Sequence, residues 1–165
     1  MKRNGQLTIS WTEVDSINDL DADDQMLLNE ARAACTRAYA PYSAFHVGAA
    51  LRLDDGTIIT GANVENAAFP SGICAERNVL STFVSGYPGK KPVTMAIEAR
   101  NTDGVIADMV SPCGNCRQVI AEEEHRSGTH IKLILSSKNK IMIFNKIDDL
   151  LPLRFTPDSL RSNLP

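Results

Sequence analysis

The apolar positions of this chain change their period several times, and each change marks an element. Leu7, Ile9 and Trp11 alternate with polar residues, the period of one short strand. An acidic, turn-prone stretch follows, with Asp15, Ser16, Asn18, Asp19, Asp21, Asp23 and Asp24. Residues 1–24 therefore read as a peripheral arm that packs on the domain or on another subunit. From Gln25 to Tyr39 the period lengthens. Leu27, Ala31, Ala34 and Ala38 form one helical stripe, with Asp23 or Asp24 as its cap and Pro41 as its stop. Phe45 to Leu53 and Thr57 to Thr60 predict a hairpin about Asp54-Asp55-Gly56.

A loop from Gly61 to Gly72 leads into a second helix, Cys74 to about Ser85, broken by Gly86, Pro88 and Gly89. Val93 to Ala99 reads as a buried strand, and Gly114 to Glu124 as a third helix. Ile131 to Leu135 and Ile141 to Phe144 are short strands around Lys138-Asn139-Lys140, followed by helical turns at Ile147 to Leu151 and Pro157 to Leu160. No repeat or linker interrupts residues 25–165, which read as a single catalytic domain. The order α-β-β-α-β-α-β-β predicts a three-layer α-β-α sandwich around one mixed, five-stranded sheet.

Composition narrows the function more than the fold. The 165 residues are 43% hydrophobic and 22% charged, as in a soluble globular domain. A net charge of −3 without any long basic run argues against a nucleic-acid polymer as partner. No apolar run approaches the roughly 18 to 20 residues of a membrane span. The start, Met1-Lys2-Arg3-Asn4-Gly5, has no apolar run behind it, so no signal peptide is expected and the cytoplasm is the expected compartment.

The chemistry lies in the cysteines. Cys35 falls in the Ala-rich helix and reads as a small buried apolar residue. The other three form two clusters, Cys74-Ala75-Glu76-Arg77 and Pro112-Cys113-Gly114-Asn115-Cys116-Arg117-Gln118. Structural zinc takes four protein ligands, whereas catalytic zinc takes three and keeps one position for water. None of His46, His125 and His130 stands at ligand spacing from these cysteines. A redox CxxC would leave Cys74 and Glu76 without a role. The pattern is that of zinc deaminases, in which a Glu that is not a ligand moves protons beside a PCxxC pair.

Position on the helix matters as much as identity. Both clusters open predicted helices, whose N-termini favour thiolates and offset the negative charge of a three-thiolate site. Arg77, turned toward the sulfurs, would add to that effect. Within a regular helix, residues two positions apart differ by about 200° in direction. Cys74 and Glu76 can both face one metal only if Cys74 sits at or just before the first turn.

Over about residues 25–162 the chain resembles the small homotetrameric, zinc-dependent cytidine deaminases. The resemblance rests on Ala40-Pro41-Tyr42-Ser43 with Phe45 and Val47-Gly48-Ala49-Ala50-Leu51, on Gly61-Ala62-Asn63-Val64-Glu65-Asn66-Ala67, on both cysteine clusters, and on Leu150-Leu151-Pro152. It implies one zinc ion per subunit on Cys74, Cys113 and Cys116, with Glu76 as the catalytic proton shuttle. It further implies that Phe45 packs on the pyrimidine, that Asn63 and Glu65 bond the ribose hydroxyls, and that the backbone at Ala75 helps read the base. Phe155 resembles an aromatic lent to a neighbouring subunit's site, and Tyr42 a residue of the subunit contact. Phe45 also suits a plain core position, and Asn63 a cap on the turn after Gly61. The implied activity is hydrolytic deamination of cytidine and 2′-deoxycytidine in pyrimidine salvage. A deaminase of another cytosine compound, such as blasticidin S, is the alternative, and a non-catalytic zinc module a distant one. The chain departs from the family in its longer arm, in a slightly longer step from Cys74 to Cys113, and in Phe69, where many members have Tyr.

Overall fold

In a computed structural model of the chain, residues 2–161 are described; Met1 of the basic start and residue 162 of the resembling segment lie outside them. The strands are β1 (Thr12–Val14), β2 (His46–Leu53), β3 (Ile58–Ala62), β4 (Pro92–Arg100), β5 (Lys132–Ser136) and β6 (Ile141–Phe144). The helices are α1 (Ala22–Cys35), α2 (Ala75–Gly86), α3 (Gly114–Ser127) and a short α4 (Asp158–Arg161). One sheet takes the order β1-β6-β5-β4-β2-β3. Its β4–β5 pair is parallel and its other pairs are antiparallel, so the sheet is mixed. Helix α3 forms the crossover between the two parallel strands, as a parallel connection requires.

The sheet has six strands rather than the expected five. The added one is β1, which lies against the outer edge of β6 with Thr12 opposite Ile143 and Val14 opposite Ile141. Sequence alternation places this strand at Leu7 to Trp11, yet pairing begins only at Thr12 because β6 is four residues long.

The sheet separates two apolar layers. On one face Leu27, Leu28 and Ala31 of α1 pack with Ala50, Ala96, Ile134 and Ile141. On the other, Val79, Leu80 and Phe83 of α2 and Ile120 and Ala121 of α3 pack on Leu51, Met95, Ile97 and Leu133. Helix α1 starts three residues before the expected Gln25, because the Asp21 carboxylate accepts from the backbone N–H of Asp24 at 2.8 Å. Asp23 and Asp24 then fall in the first turn, where the helix dipole favours negative charge. The helix ends at Cys35, short of Tyr39, because Tyr39 joins the loop after β3: its N–H donates to Asn63 O at 3.0 Å, and its carbonyl accepts from Glu65 N at 2.8 Å. Gly48 lets α1 lie close on β2. A Cβ there would stand 2.1 Å from the Ala31 carbonyl oxygen and 2.6 Å from the Cys35 nitrogen.

Candidate active site

The site forms where α2 and α3 begin on the same side of the sheet. Cys74 is the N-cap of α2, with extended backbone (φ −72°, ψ 155°), and Cys113 is the N-cap of α3 (φ −65°, ψ 166°). Cys74 therefore stands just before the first turn, as joint access with Glu76 requires. Neither helix start has a side-chain cap, so the positive end of each helix dipole is left open to the cysteine that caps it. Cys116 follows in the first turn of α3 and is buried.

The three Sγ atoms lie within 4.8 Å of one another, and Cys113 and Cys116 are 3.5 Å apart. Tetrahedral zinc with Zn–S bonds of about 2.3 Å needs sulfurs about 3.8 Å apart. The cluster fits that ion, and among the described residues no histidine or carboxylate supplies a fourth ligand.

Glu76 is 5% exposed, and burial raises its carboxyl above the ordinary value, opposed by a hydrogen bond with the Cys116 thiol. The Cys74 thiol is lowered to about 6, chiefly by its bond with the Cys116 thiol, with the Arg77 charge helping. The same bond and burial push the Cys116 thiol up. The two thiols titrate as a coupled pair, and a bound cation would favour the ionised form of both. Arg77 is half-buried and acts through its charge.

Beside the sulfurs opens a cleft of about 330 Å³, lined by Tyr42, Asn63, Val64, Glu65, Asn66, Phe69, Gly72, Ile73 and Cys74. That is the lower end of the range for small-molecule sites. The Asn63 amide is anchored at both ends: Oδ1 accepts from Val47 N at 2.8 Å, and Nδ2 donates to Phe45 O at 2.9 Å. Glu65 Oε2 accepts from the N–H groups of Tyr42 and Ser43 at 2.8 and 3.3 Å. The bonds from Ser43 and Tyr42 hold the Glu65 carboxyl below its usual value. These two residues thus fix the loop that carries Phe45, and each keeps spare bonding capacity toward the cleft.

The sequence-predicted residues do not all meet at one place. Cys74, Cys113, Cys116 and Glu76 cluster, Ala75 between Cys74 and Glu76 is fully buried, and Tyr42, Asn63 and Glu65 line the cleft. Phe45, 40% exposed, stands on the neighbouring loop outside the cleft lining. Phe155 is 58% exposed and outside it too, its carbonyl oxygen accepting from Gln118 Nε2 at 3.0 Å. Phe69, noted in the sequence only as a departure, lines the cleft and meets Tyr42 edge-on at 5.7 Å.

A residue that the sequence shows only as a member of the second cysteine cluster organises the region. Arg117 donates to Pro112 O at 2.8 Å, Leu150 O at 2.6 Å and Ser111 Oγ at 2.8 Å. Its place directly after Cys116 was the available signal.

Residues 21–127 match the family model described as the cytidine and deoxycytidylate deaminase zinc-binding region. The chain belongs to this deaminase family. Among its relatives, a cytidine deaminase of Halalkalibacterium halodurans is 40% identical over 141 residues, covering 84% of this chain and 98% of the relative. A cytidine deaminase of Mycobacterium tuberculosis is 34% identical over 140 residues, covering 85% of this chain and 95% of that one. The crystal structure of a cytidine deaminase from Burkholderia pseudomallei superposes with a TM-score of 0.65 at 36% identity, covering 79% of this chain and 97% of that one. The deaminase fold and a zinc-binding cysteine cluster are thus both present here. Among the described residues, no helix is long and apolar enough to cross a membrane.

Proposed function

We propose that the chain is a cytidine deaminase that hydrolyses cytidine and 2′-deoxycytidine to uridine and 2′-deoxyuridine, releasing ammonia. The observation that carries this reading is the three-sulfur cluster at two helix starts, with buried Glu76 beside it and no fourth protein ligand among the described residues. Cys74, Cys113 and Cys116 would hold the zinc ion, which would supply Lewis acidity for the hydrolysis. Burial raises the basicity of Glu76, which suits it to proton transfer near neutral pH. Glu76 takes the proton of the attacking water and delivers it to N3 of the base. It then carries the second proton to the departing amine.

The remaining residues orient the nucleoside. Glu65 and Asn63 direct their spare lone pairs and N–H to the ribose hydroxyls, and the backbone at Ala75 reads the base. The Asn63–Phe45 bond holds the loop from which the Phe45 ring reaches the pyrimidine. Phe155 lies outside its own chain's cleft and is exposed, which supports a contribution to a neighbour's site in a homotetramer, with Tyr42 at the subunit contact. The working compartment in this reading is the cytoplasm, and the role is pyrimidine salvage.

A spectrophotometric assay on cytidine, 2′-deoxycytidine, cytosine and blasticidin S tests the proposal. Turnover of the two nucleosides, abolished by a zinc chelator and restored by zinc, is expected. Zinc binding without any absorbance change on cytidine would overturn it, and turnover of blasticidin S alone would replace the substrate.

A further inference from the structure

The segment ahead of residue 21, where the family match begins, carries a strand pattern that the sheet uses only in part. From Gln6 to Thr12 apolar Leu7, Ile9 and Trp11 alternate with polar residues. Yet only Thr12–Val14 pairs with β6, and β1 forms the margin of the sheet. Alternate positions share a face. In an extended chain Leu7 and Ile9 therefore project with Trp11, whose ring stands 6.4 Å from that of Phe144. The three side chains are 55%, 41% and 52% exposed.

An apolar strand at a free sheet edge is a template for another strand. Natural edges are usually blunted by Lys, Pro or a bulge, and Gln6 to Thr12 contains neither Lys nor Pro. The segment is also complementary to itself. An antiparallel pair about a two-fold axis through Ile9 sets Ile9 opposite Ile9, Leu7 opposite Trp11, Thr8 opposite Ser10 and Arg3 opposite Asp15. Centring the apolar triad on the axis thus joins opposite charges at both ends. Arg3 and Asp15 are exposed, and neither has an ion-pair partner among the described residues. Gly5 falls opposite Glu13, leaving space for the Glu13–Lys140 ion pair of 2.7 Å that holds β1 to β6. Because β1 is already ordered on the sheet, pairing need order only the residues before it.

We infer that residues 3–15 pair antiparallel with the same segment of a second copy of this chain, joining two sheets edge to edge at β1. This contact is separate from the Phe155 contact, so either can exist without the other.

Single cysteines in the zinc-loaded full chain, oxidised mildly with diamide, test it. Paired residues on the axis have Cα separations that a disulfide spans. Ile9→Cys should therefore give a covalent dimer on a non-reducing gel. Leu7→Cys alone should not, because its two copies would stand about 13 Å apart. A mixture of Leu7→Cys and Trp11→Cys should link again. Absence of the Ile9→Cys dimer, whether the arm is free or folded on its own chain, overturns the inference. Equal linking by Leu7→Cys overturns it as well. In sedimentation at low salt, Arg3→Glu should weaken this association about tenfold and Asp15→Arg in the same chain should restore it; failure to restore rejects the register.

Discussion

The guanidinium of Arg117 donates to the carbonyl oxygen of Leu150 at 2.6 Å. With its bonds to Pro112 O and Ser111 Oγ, this one side chain ties the loop before Cys113 to the segment that leads to Phe155. A lysine is a point charge and cannot span three acceptors in this way. Arg117→Lys and Arg117→Ala should each lower stability by about 2 to 4 kcal/mol, read by urea denaturation. Both should also release zinc faster to a coloured chelator. Wild-type zinc release in both variants would show that the tie does not support the metal loop.

Glu76→Gln separates chemistry from folding. Deamination should fall by about 10² to 10⁴-fold, the usual span for a lost proton shuttle, with zinc content unchanged by elemental analysis. The folded-state pKa of Glu76 is raised. Its favourable share in stability is therefore complete below the unfolded value of 4.5 and is lost as pH rises through the folded one. At pH 7, above the unfolded value, burying this carboxyl opposes folding, and glutamine removes that opposition. The melting temperature of metal-free Glu76→Gln at pH 7 should match or exceed that of the metal-free parent, which calorimetry checks.

Chelation should expose one reactive thiol before the others. With the Cys74 thiol lowered to about 6, metal-free protein at pH 7 should be alkylated first at Cys74, and more slowly as pH falls below 6. Zinc should protect it. Peptide mass mapping after brief exposure to iodoacetamide identifies the site, and first labelling at Cys35 would contradict the electrostatics.

Cys35 behaves oppositely, because burial, with the Glu98 charge adding to it, pushes its thiol from 9.0 to about 11. The fold favours the neutral thiol, so its contribution is complete below pH 9 and is lost as pH rises through about 11. Two units correspond to about 3 kcal/mol. The stability difference between the parent and Cys35→Ala should shrink by that order between pH 9 and 11, measured by chemical denaturation across pH.

The elements that sequence revealed best are those whose causes are local. The stripe of Leu27, Ala31 and Ala34 specifies α1, and the N-cap position of Cys74 follows from what Cys74 and Glu76 must reach together. Boundaries moved where a distant partner decided them. Tyr39 left the helix for the Asn63 loop, and β1 shifted along the arm to match the short β6. Interactions across long sequence separations left no periodic trace. Glu98 is fully buried at the sheet centre, yet it accepts from the distant Arg32 Nε at 2.7 Å and Ser136 Oγ at 2.9 Å. In the sequence it is an ordinary polar residue within an apolar strand. Arg117 is the same case at the site, its acceptor Leu150 lying 33 positions away.

The two helix starts that meet at the cysteines also give the bound metal a mechanical part. Cys74 and Cys113 are roughly forty residues apart, and the chain between them runs through α2 and β4. An ion gripping both ends staples that segment into a closed ring. Free metal therefore opposes unfolding in step with its concentration. The persistence of this protein, and not only its turnover, follows the zinc available to it.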